Sequence, residues 1–473
     1  MLNNIVLFIT LLSLLPMLLT IYQQAHYNIK EYICYFSRHF IYSLSLLFIY
    51  TISILNTYLL IIISIFFFIC LVIRYFKLNV GLKLTKRMIR FILLAFPFII
   101  INSFFPSYVI TIYLFSFIMF ISSFIENYIN RVYHKKAISK RNNYKGDVIG
   151  ITGSFGKTTT KYYIAQILSS INPFYTKASY NTLNGISFQI NQSDLSYYKT
   201  MILEMGSNHL DDIKKLTKAF LPNIAIITGI GPMHLDSFKT IDNVIKEKMS
   251  ILSSLDDKGI AILNFDNSYI KEYDYNAKGF LISYGKNGDF NYKIYDDYVF
   301  IYAYGNLIYK FKNNNYDEID VSNSMPGIIL ATLYNIDINI VISSLENLQK
   351  PPSRQKICLV KNSIIIDDSF NSNIVGATKA LNTMKNYNKK RIIITPGFVE
   401  CRGVISKLYR EYANKINEIC DYAYIVKIPT SKMLYDLVQI DHSYISSTKL
   451  ALKKLSYDNE VILIENDVLD IYY

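Results

Sequence analysis

At 473 residues the chain has room for about three domains, and 51% of it is hydrophobic, high for a protein that stays in water. Its net charge of +13 is uneven: residues 1–145 carry 14 Lys/Arg against 2 Asp/Glu, and the rest carries 35 against 34. A nucleic-acid binder spreads basic surface over its folded domain, so nucleic acid is excluded as a partner. Five cysteines without any C-x-x-C spacing exclude a disulfide framework and a zinc site, and they fit a reducing compartment.

The front of the chain, 1–124, reads as a helical transmembrane region. Ile5–Ile21 is a first apolar run without the small-residue cleavage site of a signal peptide. Ile41–Ile73 would extend roughly 50 Å as one helix, too long for a single crossing, so it predicts a hairpin. Phe91–Asn102 and Tyr108–Phe124 form a further pair around Pro106. Basic clusters lie between the pairs (Arg74 to Arg90) and after them (Arg131 to Lys145), which places both on the cytoplasmic side. The expectation is about five spans in the inner membrane, with the remaining domains facing the cytoplasm. Residues 125–147 then read as a basic juxtamembrane linker, with membrane lipids as partners.

At 148–160 the β-formers Val148, Ile149 and Ile151 lead into Gly153-Ser154-Phe155-Gly156-Lys157-Thr158-Thr159. Strand, glycine-rich turn and helix start together make a phosphate-binding loop. Its backbone N–H groups and helix dipole cradle a nucleotide's phosphates. Lys157 reaches the β/γ-phosphates and the Thr158 hydroxyl takes Mg²⁺. The general pattern asks for a glycine at 151, where this chain has Ile.

Beyond the loop, short Ile/Val-rich strands alternate with helical stretches, the pattern of α/β units around a parallel sheet. Strands are predicted at Val148–Thr152, Thr200–Met205, Ile224–Gly229 and Ile260–Asn264, with an antiparallel excursion near Phe290–Phe311. Lys350-Pro351-Pro352-Ser353 marks a hinge. After it come strands at Ser363–Asp367, Arg391–Thr395, Tyr422–Lys427 and Val461–Glu465. The fold class is therefore α/β: a helical transmembrane region, a central P-loop α/β domain (148–349) and a C-terminal Rossmann-like α/β domain (350–473).

Polar clusters stand at the carboxyl ends of these strands, where open α/β sheets bind ligands. They are Glu204-Met205-Gly206, Gly231-Pro232-Met233-His234-Leu235-Asp236, Asn264-Phe265-Asp266 and Asp367-Asp368-Ser369-Phe370-Asn371. Lys248 lies on an intervening helix, in Lys248-Met249-Ser250-Ile251. Together with the loop and Tyr180-Asn181-Thr182-Leu183-Asn184-Gly185, this series closely resembles the Mur ligase family over about 147–473. It looks most like the branch that adds a D-alanyl-D-alanine dipeptide to a peptidoglycan precursor.

The resemblance implies an ATP- and Mg²⁺-dependent amide ligase that activates a carboxylate as an acyl phosphate. By matching position, Gly153 to Thr159 would hold phosphates, and Glu204 and His234 would join Thr158 at the metal. Lys248 matches a lysine that such ligases carbamylate. Asn264 and Asp266 would meet the adenosine, Arg354 the phosphates from the tail domain, Asp368 the ribose, and Asn181 and Asn184 the acceptor.

Two departures stand out. The family's precursor-binding domain is replaced by the apolar front, which leaves the envelope precursor open between a UDP-linked and a lipid-linked form. The ending Glu465-Asn466-Asp467 lacks the usual Lys-Gly-Ser, which leaves the amine donor open between an amino acid and a dipeptide. Competing expectations are a poly-γ-glutamate-type polymer synthase and a nucleotide-gated membrane scaffold whose chemistry has lapsed.

Overall fold

The computed structural model describes residues 83–104, 108–274, 278–314, 316–351, 356–369, 373–399 and 403–466, together with 19–25 and a few single positions. Two long helices precede the sheets, α1 (Lys86–Phe104) and α2 (Tyr108–Asn143). They pack side by side, and their contact is partly ionic: Arg90 donates through Nε and Nη2 to the two oxygens of buried Glu126, at 2.7 and 2.8 Å. The guanidinium of Arg87 lies 3.9 Å over the ring of Tyr27.

This corrects the expected transmembrane region and the multi-pass inner-membrane placement built on it. Among the described residues no helix is long and apolar enough to cross a membrane. The physical reason lies in how the apolar runs are used. Arg87 and Arg90 turn inward onto Glu126, and Tyr108–Phe124 is only the first half of a 36-residue helix whose second half is polar and basic. That second half covers 125–143 as helix and docks on the α/β domain. The run Ile41–Ile73 and most of Ile5–Ile21 lie outside the described residues.

The central domain is a nine-stranded sheet. Its strands are β1 (Asp147–Thr152), β2 (Phe174–Tyr175), β3 (Thr200–Glu204), β4 (Ile224–Ile227), β5 (Ile260–Asn264), β6 (Phe280–Tyr284), β7 (Phe290–Tyr295), β8 (Tyr298–Ala303) and β9 (Asn306–Lys312). In space they run 2-3-1-4-5-6-7-8-9. β1 to β7 pair parallel with their neighbours, and β8 and β9 then continue from β7 as an antiparallel meander, as the β-rich stretch near Phe290–Phe311 predicts. Helices cover both faces, which is why β1, β3 and β4 read as continuous Ile/Val/Leu runs with almost every residue buried. On one face lie α3 (Lys157–Ile167) and later α7 (Glu318–Leu333) and α8 (Ile338–Glu346); on the other lie α4 (Leu183–Gln192), α5 (Asp212–Phe220) and α6 (Ile241–Met249).

The C-terminal domain is a six-stranded sheet of β10 (Lys356–Val360), β11 (Ser363–Asp368), β12 (Lys390–Thr395), β13 (Tyr422–Val426), β14 (His442–Ile445) and β15 (Glu460–Glu465). Its spatial order is 10-11-15-12-13-14, parallel except for β10. α9 (Ile374–Met384) and α10 (Ile405–Ile419) pack on one face. The last strand in sequence is thus central in space, and its carboxyl end lies between those of β11 and β12.

Candidate active site

The loop between β1 and α3 is pinned in place by the loop after β4. Ser154 N donates to Gly229 O (2.6 Å), Ser154 Oγ donates to Gly231 O (3.1 Å), and Thr228 Oγ1 donates to Phe155 O (2.5 Å). Gly153 (φ +149) and Gly156 (φ +83) are needed here. A Cβ on Gly153 would meet Thr228 Oγ1 at 2.3 Å, and one on Gly156 would meet Asn323 Oδ1 at 2.8 Å. The loop therefore stays bare of side chains where a phosphate would approach its N–H groups, which fits a nucleotide. Lys157 Nζ donates to Gly153 O (2.6 Å) and Ser154 O (3.3 Å), folded over the loop it would share with phosphate.

At the second residue of α3, Thr158 Oγ1 donates to Glu204 Oε2 at 3.0 Å. Glu204 ends β3 and is 1% exposed. Its Oε2 also accepts from Lys161 Nζ (3.0 Å), and its Oε1 accepts from Asn181 Nδ2 (3.0 Å). Burial would raise this carboxyl, but the Lys161 and Lys157 charges and these hydrogen bonds outweigh it and hold it below the ordinary range. A hydroxyl and an ionised carboxylate at this spacing are hard oxygen donors of the kind Mg²⁺ takes.

Lys248 is almost fully buried; its Nζ donates to Ser207 Oγ (2.7 Å) and O (3.3 Å), just beyond β3. Burial, helped by the nearby Lys157 charge, pulls its pKa down to about 7. A substantial part of this lysine is therefore a neutral, nucleophilic amine near pH 7.

A groove between the domains is lined by Phe155, Gly156, Thr159, Asn323, Asp368 and Lys379, with Asp320 and Lys350 in the same wall. Asp320 is 2% exposed. Its Oδ1 accepts from Lys379 Nζ (2.7 Å) and Tyr163 OH (3.1 Å), while Lys350 Nζ stands 3.2 Å from Oδ2 without hydrogen-bond alignment. Burial would raise the Asp320 carboxyl; Lys379 and Lys350 reverse that and hold it low. The cluster joins α3, α7, the hinge and α9. A second, apolar slot opens on the other side of Phe155, between Met233, His234, Val375, Phe398 and Val399. The Phe155 ring lies against Gly229 and Gly231, where a Cβ would come within 2.3 and 3.0 Å of it, and it forms a wall of both cavities.

The predicted residues fall into groups. Lys157, Thr158, Glu204 and Asn181 are together, with Lys248 nearby, and Thr159 and Asp368 line the groove. His234 begins the short helix Leu235–Phe238 with φ +54 and faces the apolar slot. Asn264 and Asp266 brace loops: Asn264 donates to Thr228 O and accepts from Asp266 N, while Asp266 accepts from Lys286 N. Neither is among the residues that line the groove. Asn184 points to α2, and Arg354 lies outside the described residues. Sequence reasoning missed Lys161, Asn323, Asp320 and Lys379. Lys161 had a signal, being one turn after Lys157 on the same helix; the other three come from segments with no local motif.

Residues 151–342 match the family model for the Mur ligase middle domain. The chain is 25% identical over 291 residues to the UDP-N-acetylmuramoyl-tripeptide–D-alanyl-D-alanine ligase of Haemophilus influenzae, covering 58% of this chain and 63% of that one. It is 30% identical over 295 residues to the ligase of the same name from Buchnera aphidicola, covering 58% and 62%. The chain thus spans less than two thirds of the length of these two relatives. Among solved structures, the MurF ligase from Thermotoga maritima in complex with ADP has a similar fold, with a TM-score of 0.61 at 21% identity over 72% of this chain and 80% of that one.

Proposed function

We propose, for a chain that belongs to the Mur ligase family through its middle domain, an ATP-dependent ligase that joins an amine to a carboxylate of a cell-envelope precursor. The relatives' names suggest a UDP-N-acetylmuramoyl peptide as acceptor and an amino acid or dipeptide such as D-alanyl-D-alanine as donor. The observation that carries this reading is the convergence of Thr158, Lys161 and Asn181 on Glu204 at the carboxyl end of β3, beside the loop over which Lys157 folds.

The acceptor carboxylate attacks the γ-phosphorus of ATP, ADP leaves, and an acyl phosphate forms. The donor amine then adds to the acyl carbon, phosphate departs with the bonding pair, and the amine proton is lost to solvent. The first step brings two anions together, so cations have to neutralise them. Gly153 to Thr159 would hold the phosphates and Lys157 would span the β/γ pair. Thr158 and Glu204 would hold Mg²⁺, which supplies charge neutralisation at the transferring phosphoryl group, and His234 would have to join them from the slot it lines. Lys248, made partly neutral by burial, is suited to react with CO₂ and become an anionic carbamate beside that cation. Asp368 would meet the ribose, Arg354 the phosphates, and Asn181 and Asn184 the acceptor.

The test is phosphate release and product mass with MgATP, UDP-N-acetylmuramoyl-tripeptide and D-alanyl-D-alanine. Release that requires both acceptor and amine, with a product heavier by the donor less one water, is expected. ATP turnover indifferent to both would overturn the reading.

A further inference from the structure

Asn181 donates to Glu204, and Asn184 stands just past the Thr182 cap that begins α4, so this loop leads away from the Glu204 carboxylate. At its outer end Asn184 Oδ1 lies 2.6 Å from Nε2 of His134 on α2. An amide oxygen only accepts, so Nε2 carries the proton. Arg131, one helical turn earlier on α2, and Lys135 beside it are both exposed. On α4, Phe188 is one turn beyond Asn184, and the Tyr180 ring lies 6.1 Å from it, centroid to centroid. Each of these two rings is 41% exposed. Neither 127–146 nor 176–193 contains a single Asp or Glu, so these two segments bring basic residues and no acidic ones. Paired aromatic faces left in water on one element, tied through Asn184 and His134 to a helix that carries exposed cations, are the ingredients of a site for a sugar-bearing phosphate. Rings pack on the sugar, and Arg and Lys neutralise the phosphate.

We propose that His134, Asn184, Arg131, Lys135, Tyr180 and Phe188 bind the distal, phosphate-bearing part of the acceptor. The helix α2 thereby supplies acceptor recognition from outside the α/β domains. This rests on the ligase reading above, because that reading gives Asn181 and Asn184 to the acceptor. The carboxylate end then lies at Asn181 and the phosphate end at α2.

Calorimetry on the full chain with MgADP present tests it, using two probes: UDP-N-acetylmuramoyl-tripeptide and N-acetylmuramoyl-tripeptide 1-phosphate. Both are expected to bind. The double change Arg131→Glu, Lys135→Glu should weaken each about tenfold or more, and His134→Ala about threefold or more. His134→Gln, which still offers Asn184 a donor, should recover most of that loss. ADP affinity should stay within about twofold throughout, which reports an intact fold; if the double variant does not fold, His134→Ala decides. Tighter binding of the UDP probe assigns the site to a nucleotide-linked acceptor, and equal binding assigns it to the sugar phosphate whatever its carrier. A wild-type chain that binds neither probe, or variants that bind both as well as wild type, would overturn the proposal. Probe binding through these residues without ATP-dependent amide formation would instead sink the ligase reading and leave the site standing.

Discussion

Glu204 and Glu465 each end a strand at the carboxyl edge of a largely parallel sheet, and each is 1% exposed. Their partners separate them. Glu204 is met by an ammonium, an amide and the hydroxyl of the phosphate-loop threonine. Glu465 Oε2 accepts from two hydroxyls, Thr395 Oγ1 at 2.5 Å and Tyr412 OH at 3.0 Å, and Thr395 Oγ1 in turn accepts from Gly397 N. Burial, reinforced by the Glu465 charge, keeps the Tyr412 hydroxyl protonated far above its ordinary range, so it remains a donor. A carboxylate compensated by cations sits in a field that another cation can enter. One clamped by hydroxyls fixes the loop Pro396–Phe398. Place in the fold nominates a residue for chemistry; its partners decide.

The largest effect that would sharpen this contrast is Glu204→Ala. It leaves fully buried Lys161 without its carboxylate, and breaking such a pair costs ~3–5 kcal/mol. ATP turnover should fall by ~100-fold or more; urea denaturation and phosphate release measure the two.

Lys248→Met should separate activity from stability. In the folded chain Lys248 titrates near 7, well below its unfolded value of 10.5. Below pH 7 both states are protonated and the buried charge weighs fully on the fold. Between about 7 and 10.5 the unfolded chain binds more protons, so this group's contribution to stability rises with pH. Lys248→Met should therefore stabilise the fold most below pH 7, with the gain fading towards pH 10 in denaturation curves, while turnover drops ~10-fold or more. Added bicarbonate should raise wild-type turnover near pH 6 and leave the variant unmoved.

Lys379→Met removes one hydrogen bond to buried Asp320 and leaves Lys350 beside it, at a cost of ~1–3 kcal/mol. ADP affinity, read by calorimetry, should weaken several-fold if the cluster fixes the groove between the domains. The smallest effect belongs to Glu465→Gln, ~1 kcal/mol in denaturation, with phosphate release within about twofold of wild type. A loss of turnover as large as that of Glu204→Ala would erase the distinction between the two sheets.

Eight of the parallel strands were legible because buried parallel strands are continuous Ile/Val runs, and each begins and ends within two residues of its predicted bounds, whereas β2, β6 and β14 gave no such run. Lys157, Thr158 and Glu204 were legible because loop spacing and strand ends are local signals. Asp320 and Lys379 were not, since their pairing exists only once α7 and α9 face each other across the hinge. Asn264 and Asp266 sit at a strand's carboxyl end, yet their polar atoms go to loop backbone. The front misled for a related reason. Hydropathy counts residues along the chain, whereas Arg87 and Arg90 find Glu126 36 or more residues away.

The last turns of α2 also close the ends of two other helices. Lys140 Nζ donates to the carbonyls of Ile190, Asn191 and Ser193 at the end of α4, and Arg141 donates to those of Phe220 and Leu221 at the end of α5. A fragment cut at Asp147, the start of the α/β pattern, would therefore expose five carbonyl acceptors and fray the helices that carry Asn184 and flank Glu204. The natural seam for dissecting this molecule runs through the middle of α2, ahead of His134, and a catalytic unit for crystallisation or ligand screening should begin there.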